Sequence, residues 1–218
     1  MYVTISCVCP RLFIAPDRSA IIQDIERMHA AGLATLAYYY FDFRDIEKQD
    51  CYGLLSSLIF QLAVESLSCY IILSSLYSDT SRGTQKPSID ALKKYMTDML
   101  SLPGQGPVYI IVDALDECPN LLGSQSAREE VIKLIEGVVD LKLPNLHLCV
   151  ASRPEIDIQT VLRPLASLKI SLHDESGQKE DITRYIRSVT RSDWSMRRWK
   201  EEDKQLVVDV LSEKAGGM

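Results

Sequence analysis

The sequence predicts an α/β fold: a doubly wound, mostly parallel sheet in three α/β/α layers, followed by the start of a helical module. Three observations carry that expectation. Short apolar runs rich in β-branched and aromatic residues recur along the 218-residue chain. Segments with the apolar spacing of a helix separate them, as in a sheet built from strand–helix–strand units. One run, Val108 to Val112, has no polar alternation, the mark of a strand covered on both faces. A hydrophobic share of 46% and a charged share of 25% are those of a globular domain, and the length allows one α/β domain with a core of its own.

The elements follow in order. Tyr2 to Val8 is β-rich and reads as a first strand, while two prolines make Cys9 to Arg18 a loop. Ser19 to Ala30 places Ile21, Ile22 and Ile25 on one side of a helix with Met28 nearby; Ser19 suits its N-cap and Gly32 its end. Leu33 to Phe43 (Leu-Ala-Thr-Leu-Ala-Tyr-Tyr-Tyr-Phe-Asp-Phe) is a strand signal. The polar patch Arg44 to Asp50 precedes Cys51 to Val64, where Leu54, Leu55, Leu58, Ile59 and Leu62 form a core-facing helical stripe. Ser78 to Pro87 is a loop. Ser88 caps a helix bearing Leu92, Tyr95, Met96, Met99 and Leu100, and Pro103 to Pro107 turns into the central strand. After a loop at Cys118 to Ala127, Arg128 to Asp140 is helical through Val131, Leu134, Ile135 and Val138. Leu146 to Ala151 is a strand that Pro154 stops; Ile156 to Leu162 is a short helix and Leu168 to Leu172 a last strand. From about Asp174 the strands cease and charges crowd, with helices expected at Lys179 to Val189 and Glu201 to Lys214.

The central run leads straight into acids: residues 108–117 read Val-Tyr-Ile-Ile-Val-Asp-Ala-Leu-Asp-Glu. Asp113 falls at the strand's carboxyl end, where open α/β sheets bind ligands. A carboxylate there suits Mg2+ beside a nucleotide's phosphates, and Asp116 or Glu117 suits the orientation of an attacking water. Arg153 follows the next strand, and its fixed fork of donors suits a γ-phosphate. The phosphate cradle itself is missing. A P-loop needs Gly-x-x-x-x-Gly-Lys-Ser/Thr ahead of this strand. The glycines there are Gly32, Gly53, Gly83, Gly104 and Gly106, the first lysine is Lys48, and none of them forms that motif.

Composition narrows the function classes. A net charge of −6 excludes general attraction to nucleic acid. Arg184, Arg187, Arg191, Arg197, Arg198 and Lys200 interleave with Glu180, Asp181, Asp193, Glu201, Glu202 and Asp203, the pattern of a solvated helical face. Trp194 and Trp199 are expected to anchor the helical module. Cys7, Cys9, Cys51, Cys69, Cys118 and Cys149 lack metal spacing and read as reduced thiols of a cytoplasmic protein. No run of about 18 apolar residues exists, so no membrane span is expected, and the N-terminus lacks a basic leader.

Several stretches together resemble a known family. They are Ile21-Ile22-Gln23-Asp24-Ile25-Glu26, Tyr38-Tyr39-Tyr40-Phe41-Asp42-Phe43-Arg44-Asp45, the acid run, Ala151-Ser152-Arg153-Pro154-Glu155 and Ala215-Gly216-Gly217-Met218. The acid run matches four apolar residues, Asp, a small residue, an apolar residue and Asp-Glu, the extended Walker B of NACHT domains. The chain is similar to the NACHT domains of STAND P-loop NTPases, in the fungal nephrocystin-like N-terminal domain group. The resemblance implies a P-loop NTPase-like core and ATP or GTP with Mg2+. By the same resemblance Asp113 holds the metal, Glu117 with Asp116 orients the water, and Arg153 senses the γ-phosphate. It also divides the chain: 1–18, an atypical segment in place of the P-loop region; 19–173, the core; 174–218, the truncated start of a helical or winged-helix module.

The resulting expectation is a nucleotide-dependent signalling switch, impaired in nucleotide binding and not expected to hydrolyse. The alternative is a non-catalytic protein-interaction module or a degenerate gene remnant. Expected partners are proteins, through self-association or contact with intact family members, with no nucleic acid and no membrane.

Overall fold

In the computed structural model, residues 2–6, 25–80, 82–120, 126–171 and 175–215 are described. Strand β1 spans Tyr2–Ser6, and helix α1 comprises residues 25–30. There follow β2 (Thr35–Tyr40), α2 (Cys51–Glu65), α3 (Leu67–Asp79), α4 (Ile89–Leu100), β3 (Val108–Asp113), α5 (Ala127–Asp140), β4 (Leu146–Ser152), α6 (Ile156–Leu165) and β5 (Leu168–Ser171). Helices α7 (Glu175–Ser192) and α8 (Glu201–Ala215) close the described residues, and the Thr183 hydroxyl donates to Ser212 Oγ between them at 2.9 Å. The expected loop at Cys9 to Arg18 and the first turns of the Ser19 helix lie outside the described residues.

The sheet order is β2-β3-β4-β1-β5. Strands β2, β3 and β4 are parallel, with Thr35 opposite Val108 and Val108 opposite Leu146. Strand β1 runs against both its neighbours: Tyr2 pairs with Ser152 and Ser171, and Ile5 with Cys149 and Leu168. The mostly parallel sheet is therefore as expected, with one antiparallel strand set inside it. β-Propensity marks a strand without giving its direction, so this feature is visible only in the pairing.

Alternation along the strands builds two unequal layers. Ala37, Tyr39, Val108, Ile110, Val112, Leu146, Leu148 and Val150 face the larger core, which α2 through α6 cover. Leu36, Tyr109, Ile111 and Cys149 face the other way, toward Ile25 and Met28 of α1. β3 is buried at every residue, as its unbroken apolar run predicts. The helices start where short polar side chains satisfy free backbone N–H groups: Asp50 accepts from Gly53, Ser88 from Ala91 and Ser126 from Glu129. Gly32 ends α1 in the left-handed region at φ 68°. Among the described residues, no helix is long and apolar enough to cross a membrane. Cys51, Cys69, Cys118 and Cys149 are free thiols, and burial pushes the Cys51 and Cys118 thiols up to about 12, where they are inert.

His147 of β4 lies buried on the α1 side of the sheet, stacked on Tyr109 at 4.6 Å. Burial lowers its pKa below the usual 6.5, so the folded chain holds it neutral. A depressed pKa means that the unfolded chain takes the proton first. The stability tied to the neutral ring is complete above about 6.5 and is lost as pH falls from there through the lower folded-state value. His147→Phe keeps an aromatic ring against Tyr109 and removes the titration. The expected outcome is a smaller drop in urea midpoint between pH 7.5 and 5 for His147→Phe than for the wild type; parallel curves would contradict it.

Candidate functional site

Three strand ends meet at the carboxyl edge of β2, β3 and β4. Phe41 N–H donates to Asp113 O at 3.1 Å, so the β2 exit lies against the β3 exit. Asp113 is 6% exposed, and its Oδ1 accepts from Ala114 N–H at 2.7 Å. Ala114 sits in the left-handed region (φ 53°, ψ 42°), which costs a non-glycine residue about 1–2 kcal/mol. That conformation ends the strand and starts the 3-10 turn Leu115–Glu117. Leu115, fully buried, offsets the strain by anchoring the turn to the core.

The turn aims its two acids in different directions. Asp116 Oδ1 accepts from Arg153 N–H at 2.8 Å, and its Oδ2 lies 3.3 Å from Arg153 Nε. The Asp116 side chain is 9% exposed and that of Arg153 73%, so the acid is the buried partner and the arginine folds over it from the rim. Glu117 Oε2 accepts from Phe43 N–H at 3.2 Å, across to the β2 exit. Beside it Arg44 grips Asp42 with Nε and Nη2 at 3.1 and 3.2 Å and holds that carboxyl below the usual carboxylate range. The structure thus brings Asp113, Asp116, Glu117 and Arg153 to one edge, each acid with a donor of this chain.

Arg128 is the residue that sequence reasoning passed over, where it stood only as a helix boundary. It is buried at 9% exposure on the second position of α5. Its Nη2 donates to Asp116 O at 2.6 Å and its Nε to Cys118 O at 2.9 Å, spanning the acid turn from below. Its Nη1 lies 3.3 Å from Asp157 Oδ2 on α6, to which Asn120 Nδ2 also donates at 2.9 Å. One signal was available. A cation in the first turn of a helix opposes the macrodipole and asks for a nearby acceptor.

The fold and this edge define an α/β domain whose acidic strand end is gathered at the carboxyl side of a largely parallel sheet. The chain belongs to the family described as nephrocystin 3, N-terminal, which it matches over residues 18–153, more than half its length. The match closes on Arg153 and includes Asp113, Asp116, Glu117 and Arg128. No curated protein and no solved structure matches the chain.

Removing Arg128 leaves two turn carbonyls without their donor. Arg128→Ala is expected to lower unfolding free energy by about 2–3 kcal/mol, read from urea denaturation. A loss within error of zero would show that the turn holds its shape without the arginine.

Proposed function

We propose that this chain is a NACHT-type signal-transduction NTPase domain that no longer handles nucleotide and acts through protein contacts. The observation that carries the reading is the internal engagement of the acids. Asp116 directs both carboxylate oxygens at Arg153, Glu117 accepts from Phe43 N–H, and Asp113 accepts from Ala114 N–H.

A magnesium-bound nucleotide calls for carboxylate oxygens open to the metal and a nest of backbone N–H groups around the phosphates. The residues present do not fit it. The chain carries no Gly-x-x-x-x-Gly-Lys-Ser/Thr. Strand β1, beside β4, begins at the carboxyl edge with Tyr2 against Ser152 and ends with Ser6 against Leu148. The last residue of β1, Ser6, therefore lies at the end of the sheet opposite Asp113.

The size of the effect follows from the missing lysine alone. One charge-assisted contact is worth about 1.5–3 kcal/mol, or roughly 10–100-fold in affinity, before the backbone cradle is considered. The partners in this reading are proteins, intact family members among them, and α7 with α8 form a helical module. Titration calorimetry with Mg-ATP and Mg-GTP is expected to show no binding up to millimolar nucleotide. A micromolar Kd that Asp113→Ala abolishes would contradict the proposal and restore the nucleotide-gated switch.

A further inference from the structure

Among the described residues, strand β2 is the outermost strand on its side of the sheet, and the sequence around it is strongly prone to pairing. Leu33 to Phe41 runs without a charge or a proline and ends in three tyrosines and a phenylalanine. An open edge of that composition is a template for another strand. Thr35 and Phe41 direct their N–H groups toward the β3 side, donating to Pro107 O and Asp113 O. By alternation, the backbone groups of Tyr38 face outward, where a sixth strand would bind.

One side chain fills that position. Gln61 of α2 donates from Nε2 to Tyr38 O at 2.8 Å and accepts at Oε1 from Tyr38 N–H at 3.0 Å. Its amide makes both bonds that a paired strand would make at this residue. Ser57, one helical turn earlier, fixes the amide's orientation by accepting from Nε2 at its Oγ (3.0 Å) and its carbonyl (3.3 Å). Leu58 and Leu62, buried on either side of Gln61 in sequence, hold the helix at the height that allows this reach. The guard is thus positioned by the core rather than by the edge it covers.

We propose that Gln61 guards the β2 edge: while it holds Tyr38 the edge is closed, and once it lets go, β2 pairs antiparallel with β2 of a second copy. A twofold axis at Tyr38 sets Tyr38 against Tyr38 and Leu36 against Tyr40, so the uncharged strand is its own complement. Tyr38 and Tyr40, edge-to-face at 5.5 Å and both more than 40% exposed, gain cover in that pairing. The inference is independent of the nucleotide reading.

Sedimentation equilibrium over a micromolar dilution series tests it. The wild type is expected at the monomer mass of 24.6 kDa throughout. Gln61→Ala should rise with concentration toward twice that mass. Gln61→Met, which keeps length and packing but loses the amide, should do the same and guards against a folding defect in the first variant. Adding Tyr38→Pro to either variant removes the outward N–H without touching the β3 ladder and should return the monomer. The proposal is overturned if both Gln61 variants stay monomeric, if the proline leaves their association intact, or if the wild type associates as strongly as they do.

Discussion

Strand β3 has water on neither face and a parallel neighbour on both edges, and this constraint organises everything around it. A backbone so enclosed must have its polar groups paired, which fixes β2 and β4 beside it in register. Its side chains alternate between the two cores, Ile110 and Val112 toward α2 to α6, Tyr109 and Ile111 toward α1. No acid fits along such a strand until it leaves the sheet. Asp113 stands at that limit, and the left-handed turn at Ala114 carries the next two acids back over the neighbouring strand exits. The acid edge is thus a consequence of how the most buried strand ends.

The contacts at that edge have one character. Each carboxylate meets a donor of the same chain: Asp116 accepts from Arg153 after β4, Glu117 from Phe43 N–H after β2, and Asp113 from its neighbour Ala114 N–H in the turn itself. Beneath the turn Arg128 holds two carbonyls and reaches α6 through Asp157. Asp116 and Glu117 thus latch the turn to the two neighbouring strand exits. Strand β1, set antiparallel between β4 and β5, joins the sheet beside the strand whose exit carries Arg153, with Tyr2 opposite Ser152.

How much of this the sequence disclosed depended on the range of the interactions. The β3 strand, Asp113 at its end and Arg153 after β4 were legible because each is a local pattern, an apolar run followed by a polar stop. The α4 and α5 stripes were legible for the same reason. Helix α3 was not assigned from sequence; Leu67–Asp79 mixes serines, tyrosines and aliphatics around its circumference, so no single apolar face announces it. The direction of β1 was hidden because propensity is blind to direction. Arg128 and Gln61 escaped notice because their partners lie far along the chain: Gln61 meets Tyr38 across 23 residues, and Arg128 meets Asp157 across 29. Long-range polar contacts leave little trace in a single sequence.

In this reading Asp116 and its neighbours at the sheet's carboxyl edge stabilise the fold by themselves. Acids kept in place for a ligand repel one another in its absence, so neutralising one stabilises the empty protein. A latch behaves in the opposite way. The most direct measurement is the unfolding free energy of Asp116→Asn without nucleotide or metal. The account predicts a loss of about 1–2 kcal/mol, from weakening the bonds to Arg153. A gain in stability would contradict it and identify Asp116 as a side chain held for something the protein binds.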